Sequence, residues 1–401
     1  MPSLRAGWAK TEITPPTGYP MAGYVRRTGS STGVLDPLYA RALVLEDGGC
    51  TVVFIIADLL LFSRRWARRL RAIAARSVGA PASNIIVAAT HTHSGPLIDT
   101  SPFDVASPTS PPPQPGFQRS LEQRIEAVVQ EAALRMNSVK AAMARVIIQG
   151  VASDRNRPTK SRSQPLYLLR LSACDTTALF GVYACHSTVL GYKNTLFSGD
   201  LLGRLTQLLE PAGGFALMGC GAAANISTRF TRRNQSLGEL ERLSRMAADQ
   251  VRCAVYKPLD VASLSIREAV MDLTLRRLSR KLVHNSGTAG RIAEAAEEAL
   301  ENITSLKRLR RLWGTRAAFT LTQVRLGEIS WLAIPFEIGF ETGEFLWNQS
   351  QLIPLCYANG YGGYIAPAGA SPFTYEVLSS PYSRRADLQL RRMALRLASY
   401  P

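Results

Sequence analysis

The chain has 401 residues, 46% of them hydrophobic and 19% charged, which is enough apolar material for a large buried core and argues against a disordered or fibrous protein. Its 47 Lys and Arg outnumber 30 Asp and Glu, a formal charge of +17, but no aromatic-interleaved basic ribbon or nucleic-acid motif accompanies the excess. The arginines recur at helical spacing in 64–71, 307–312 and 384–396, so they are read as solvated outer faces of helices, with attraction to an anionic membrane or an acidic substrate as the second use of the charge.

In chain order, the first eight residues hold no apolar leader, and the longest apolar run, Thr51 to Phe62, contains Asp58 and is too short to span a membrane. A cytoplasmic location is the expectation. Thr51 to Ala57 reads as a buried strand, Ser63 to Val78 as a helix and Asn84 to Ala89 as the next strand, a βαβ unit with a parallel pair. Asp58, ending the first strand, is expected to approach His91. The segment Ser101 to Pro115 is a Pro- and Ser-rich loop, and Leu121 to Met136 is a helix. Strands are expected at Ala142–Gln149, Pro165–Ser172, Thr177–Ala184 and Phe215–Leu217, with helices at Leu201–Leu209, Leu237–Val255 and Gly290–Arg311. A hairpin of Ala318–Leu326 and Ile329–Ile334 turns at Gly327. With no linker and no repeat, residues 1–401 are read as one large α/β domain with a mixed sheet flanked by helices.

Four histidines occur in all, and two of them, His91 and His93, stand one residue apart directly after a strand. In an extended segment they share a face, so one can ligate a metal while the other meets the substrate. His186 ends another apolar strand, followed by Ser198-Gly199-Asp200, which leads into a helix in the manner of an N-cap. Glu337 follows the strand ending at Ile334. Two histidines and a carboxylate at three strand ends make a catalytic zinc set. The six cysteines are dispersed, without a CxxC pair, and read as reduced thiols; Cys185 or Cys220 as a nucleophile is the weaker option.

The segments Gly7-Trp8-Ala9-Lys10-Thr11-Glu12-Ile13-Thr14-Pro15-Pro16, Pro20-Met21-Ala22-Gly23-Tyr24, Asp36-Pro37-Leu38-Tyr39-Ala40-Arg41-Ala42 and Ala57-Asp58-Leu59, with the tyrosine segment Tyr357 to Tyr375, resemble the N-terminal catalytic domain of the neutral/alkaline non-lysosomal ceramidases. That resemblance implies zinc-dependent hydrolysis of an N-acyl amide such as ceramide. It implies zinc ligands at His91, His186, Glu337 and Tyr364, with Tyr361 as the alternative tyrosine. It also implies contacts to the scissile carbonyl from His93, Arg157 and Tyr375. Zinc lowers the pKa of bound water to about 7 in favourable sites, and His93 is the expected proton donor to the leaving amine. A C-terminal immunoglobulin-like domain like that of the family's secreted members is not expected, and Ala224 to Arg229 matches their Gly-Asp-x-Ser-Pro-Asn segment loosely, so the serine of that region is not assigned. Arg229, Arg232 and Arg233 suit a carboxylate or phosphate on the substrate. The alternatives are an amidase or acyl-transfer enzyme acting on another metabolite, and a non-catalytic binder of anionic lipid.

Overall fold

The computed structural model describes residues 4–99, 103, 106, 109–157, 163–210, 212–261, 263–276 and 306–399. Part of the loop at 101–115 and most of the helix expected at 290–311 lie outside these residues; a helix is present at 306–313.

Three sheets carry the fold. The first contains β1 (Arg5–Glu12), β2 (Tyr39–Glu46), β3 (Thr51–Ala57) and, beyond helix α1 (Arg64–Val78), β4 (Ile85–Ala89), in the order β4-β3-β2-β1. The β3–β4 pair is parallel, as the βαβ reading requires, while β1, β2 and β3 pair antiparallel. Ser63 caps α1 by accepting from Trp66 N–H, and Gly79 closes it at φ 66°. Its Trp66, Leu70 and Ala74 face inward, and Arg64, Arg65, Arg68, Arg69 and Arg76 face solvent, so on this helix the positive charge is a surface property.

Helix α2 (Pro115–Leu134) begins six residues before the expected start, because Pro115 suits the first helical turn, where its missing N–H is not needed. The second sheet is built from β5 (Lys140–Ile148), β6 (Gln164–Ser172), β7 (Thr177–Tyr183) and, after helix α3 (Asp200–Leu209), β8 (Phe215–Cys220), in the order β8-β7-β6-β5. Helix α4 (Leu237–Arg252) follows. The third sheet has β9 (Leu264–Thr274), β10 (Arg316–Leu326), β11 (Ile329–Ala333) and, after helix α5 (Phe340–Ser350), β12 (Leu352–Leu355), in that order. The β10–β11 hairpin pairs Leu326 with Ile329. Gly327 turns it at φ 54°, and a Cβ there would sit 2.0 Å from Asp260 O. The single mixed sheet expected from the sequence is therefore three mixed sheets.

Alternate residues of each strand serve different layers. Val52, Phe54 and Ile56 join residues of the other two sheets in one apolar core, where Phe54, Phe180 and Trp331 lie with ring centroids 4.8, 5.7 and 5.4 Å apart. Val53, Ile55 and Ala57 belong to a second core, which they share with α1 and α2 on the first sheet and with α3 and α4. Burying side chains of this size contributes about 1.5–3 kcal/mol each, and burial on both faces is what these strands register as continuous apolar runs. No helix among the described residues is long and apolar enough to cross a membrane.

Candidate active site

The site forms where strand ends from all three sheets meet. His91 lies two residues beyond β4, His186 three beyond β7, and Glu337 four beyond β11. Backbone contacts stitch these ends together: Thr92 bridges Ser187, Ala88 bridges Ala358, His186 N–H donates to Ile226 O at 3.1 Å, and Glu337 N–H donates to Gly363 O at 3.0 Å. Such a meeting of strand ends is where an α/β fold builds a site.

The His91-Thr92-His93 segment is not extended. His91 adopts φ 60°, an uncommon conformation for a non-glycine residue, and its ring stacks on Tyr357 at 3.9 Å, itself at φ 54°. The turn still brings the two imidazoles together, with His91 Nε2 and His93 Nε2 3.2 Å apart. Their rings and that of His186 form the group of His, Cys, Asp or Glu donors, among the described residues, arranged to hold a metal ion, the three ligand atoms lying within 4.8 Å of one another.

Each imidazole is held from behind by a carbonyl. His91 Nδ1 donates to Leu60 O at 2.8 Å, His93 Nδ1 to Gly23 O at 2.7 Å and His186 Nδ1 to Ala223 O at 2.7 Å. A carbonyl only accepts, so Nδ1 carries the proton and every Nε2 presents a lone pair to the centre. The Glu337 carboxylate completes the cluster, 3.7 Å from His91 Nε2 and 3.2 Å from His186 Nε2. His91, His186 and Glu337 are 3%, 2% and 2% exposed, and His93 is partly exposed.

These contacts cannot be satisfied by the protein alone. Two lone pairs 3.2 Å apart repel, and protonation, which would relieve them, is opposed by burial. Burial, against the pull of Glu337, lowers His91 to about 4, and burial with the neighbouring imidazoles puts His93 well below its ordinary value. Burial alone would raise Glu337, but His91 and His186 outweigh it and hold the carboxyl below its usual range. His186 Nε2 and Glu337 Oε2 are buried without a hydrogen-bond partner. A divalent cation held by His91, His186 and Glu337 would take up their unpaired donors and leave the His93 Nε2 lone pair facing the centre. Donors on a tetrahedral zinc at about 2.0–2.1 Å stand about 3.3 Å from one another, close to the 3.2 Å from Glu337 to His186 Nε2 and the 3.7 Å to His91 Nε2, and the Nδ1–carbonyl bonds are the outer supports that metal-ligating histidines use.

Both candidate tyrosines reach Glu337. Tyr361 OH donates to Glu337 Oε1, and Tyr364 also hydrogen-bonds the carboxylate, its backbone standing opposite that of Glu337 in the short parallel pairing of Glu337–Ile338 with Tyr364–Ile365. Tyr375 crosses Tyr364 edge-on at 5.5 Å. The arginine beside these rings is Arg155. Its guanidinium lies 4.7 Å from the Tyr375 ring and 5.8 Å from that of Tyr364, and Nε donates to buried Glu376 at 2.7 Å. Its Nη2 is buried without a partner. Arg157 stands exposed with its backbone N–H on Asp154 O, at the end of a turn that sends the side chain two residues earlier inward.

Other expectations come out differently. Asp58 does not turn to His91: it forms a buried pair with Arg41 at 3.0 Å and accepts Tyr39 N–H, and the contact to His91 is made by Leu60 O. Gly199, not a side chain, occupies the N-cap of α3, while the Asp200 carboxylate accepts from Val189, Leu190 and Leu201 N–H. Cys185, Cys220 and Cys356 are buried and their thiols are pushed upward by burial, which leaves no thiolate for nucleophilic work, whereas Cys174 and Cys253 are exposed. Arg232 is tied to Thr188 O at 2.7 Å, and Arg229 and Arg233 are exposed. Tyr357, Glu376 and the supporting carbonyls carried no residue-level signal in the sequence, since stacking and backbone acceptors leave no motif.

Fold and site together define an α/β protein with a buried three-histidine, one-carboxylate metal-type centre. The family described as neutral/alkaline non-lysosomal ceramidase, N-terminal, matches residues 4–216, and the chain belongs to this family, which makes it an amide hydrolase by membership. Its fold is similar to a solved structure described as ceramidase complexed with C2, at a TM-score of 0.75 and 15% identity over 99% of this chain and 75% of that one. It is similar to the same extent to neutral ceramidase from Pseudomonas aeruginosa, with a TM-score of 0.75 and 16% identity over 99% of this chain and 74% of that one.

Proposed function

We propose that the protein is a zinc-dependent amidohydrolase that cleaves the amide bond of a ceramide-like N-acyl amine. The observation that carries this reading is the convergence of three imidazole lone pairs, two of them, on His91 and His186, beside the buried Glu337 carboxylate. His91, His186 and Glu337 would hold the ion, with Tyr364 as fourth donor and Tyr361 as the alternative. When bound, zinc supplies a Lewis acid that polarises an amide carbonyl and makes water acidic enough to attack near neutral pH.

The remaining work falls to side chains. His93 Nε2 carries a lone pair and accepts a proton from the attacking water, then returns it to the amide nitrogen as the C–N bond breaks. Burial makes its imidazolium a strong acid, which favours the return. Tyr375 OH and Arg155 Nη2 are assigned to the carbonyl oxygen as it gains charge; Arg155 takes this role in preference to Arg157 because its Nη2 is buried without a partner beside the tyrosines. Where measured, one such donor is worth about 3 kcal/mol.

Zinc-loaded protein incubated with a short-chain ceramide, followed by mass spectrometry, tests the reading. The expected result is equimolar fatty acid and sphingoid base, lost on chelation and restored by zinc. No release from ceramide or from a panel of other N-acyl amines would overturn it, and a new amide formed in the presence of added amine would replace hydrolysis by acyl transfer.

A further inference from the structure

The three imidazoles differ in what stands behind them. His91 and His186 lean on Leu60 O and Ala223 O, whereas His93 leans on Gly23 O, in a strap that precedes β2. The strap lies on the His93 loop through Ala22 N–H to Gly95 O at 3.0 Å and Leu97 N–H to Pro20 O at 2.8 Å. Gly23 has φ 110°, and a Cβ there would come within 2.5 Å of His93 Cα, so only glycine allows this approach.

One side chain clamps the two segments. Arg27 Nη1 donates to Ala22 O at 2.8 Å and Nη2 to His93 O at 2.7 Å. The residue is 2% exposed and its Nε has no partner. Its guanidinium lies 5.0 Å from the Tyr24 ring, which in turn lies 5.0 Å from the His93 ring. Burial of the guanidinium opposes its charge, with Tyr24 and Asp200 pulling the other way. Its two hydrogen bonds go to the carbonyl just before Gly23 and to the carbonyl of His93 itself. Together they fix the separation between the acceptor in the strap and the imidazole that it holds.

We propose that Arg27 is a positioning residue that keeps His93 in the Nδ1–H tautomer with Nε2 turned to the metal centre. Its effect on turnover rests on the hydrolase reading; its effect on the imidazole does not. The chain's four histidines make a histidine-selective ¹⁵N spectrum simple to assign. In zinc-free Arg27→Met, His93 is expected to become a mixture of tautomers while His91 and His186 keep theirs, and kcat of the zinc-loaded variant is expected to fall about 10- to 100-fold, the range for lost outer supports. Arg27→Lys should recover part of both, since an ammonium can reach one of the two carbonyls.

Unchanged tautomers in Arg27→Met would overturn the proposal. So would equal disturbance of all three imidazoles, which would make Arg27 a support of the fold at large. If the wild type hydrolyses no N-acyl amine, the hydrolase reading falls, and the ¹⁵N spectra still decide the role of Arg27.

Discussion

His91 stands just past a fully buried strand and His186 past one whose last four residues are buried, each with its ring fixed by one backbone carbonyl. Tyr361, Tyr364 and Tyr375 stand instead on a segment that turns through positive φ at Tyr357, Asn359, Gly360 and Gly363, and side-chain contacts among Glu337, Arg155 and Glu376 order them. One half of the site is thus preorganised by the backbone of the sheets, and the other by a network that depends on each member. The lesson is a division of labour: changes at His91, His186 or Glu337 should remove the ion, while changes at Arg155 or Tyr375 should leave the ion and slow the reaction.

The sharpest way to break that comparison is at Arg155. Arg155→Met is expected to lower kcat/KM by about 10²- to 10³-fold, the loss seen for an oxyanion donor, with zinc content unchanged, whereas Arg157→Met stays within about twofold because an exposed side chain far from buried contacts carries little. Steady-state kinetics with metal analysis on both variants checks this. Equal losses in the two, or loss of zinc in Arg155→Met, would erase the distinction between the halves.

A smaller effect concerns pH. His91 has a folded pKa of about 4 against an ordinary 6.5. Between these values the unfolded chain binds a proton that the folded one does not, so stability rises with pH across the window. The zinc-free protein is therefore expected to be most stable above 6.5 and to lose stability as pH falls toward 4, which thermal melting across that range would show. A melting temperature that stays flat there would mean that the imidazoles are not held neutral.

The same division explains what could be read from the sequence. Strands buried on both faces register as apolar runs, so Thr51–Ala57 is legible to the residue and the hairpin around Gly327 to within two residues at its ends, and the polar groups beyond such runs, His91, His186 and Glu337, follow directly. β9 carries Glu268 and Asp272 on exposed positions and Arg267 on a half-buried one, and leaves no such run. Asp58 was misplaced because a strand-end carboxylate satisfies a nearby guanidinium as readily as an imidazole, and the pairing with Arg41 depends on the β2–β3 register. The choice between Arg155 and Arg157 turns on a two-residue pairing, Ser153–Asp154 with Ile226–Ser227, which no local pattern announces.

The central claim is that His91, His186 and Glu337 hold a metal ion. Elemental mass spectrometry of purified wild type and His186→Ala, each folded by circular dichroism, tests it most directly. The account predicts about one zinc per wild-type chain and essentially none in the variant. A wild type that takes up no zinc when it is supplied, or a variant that retains it, would contradict the account.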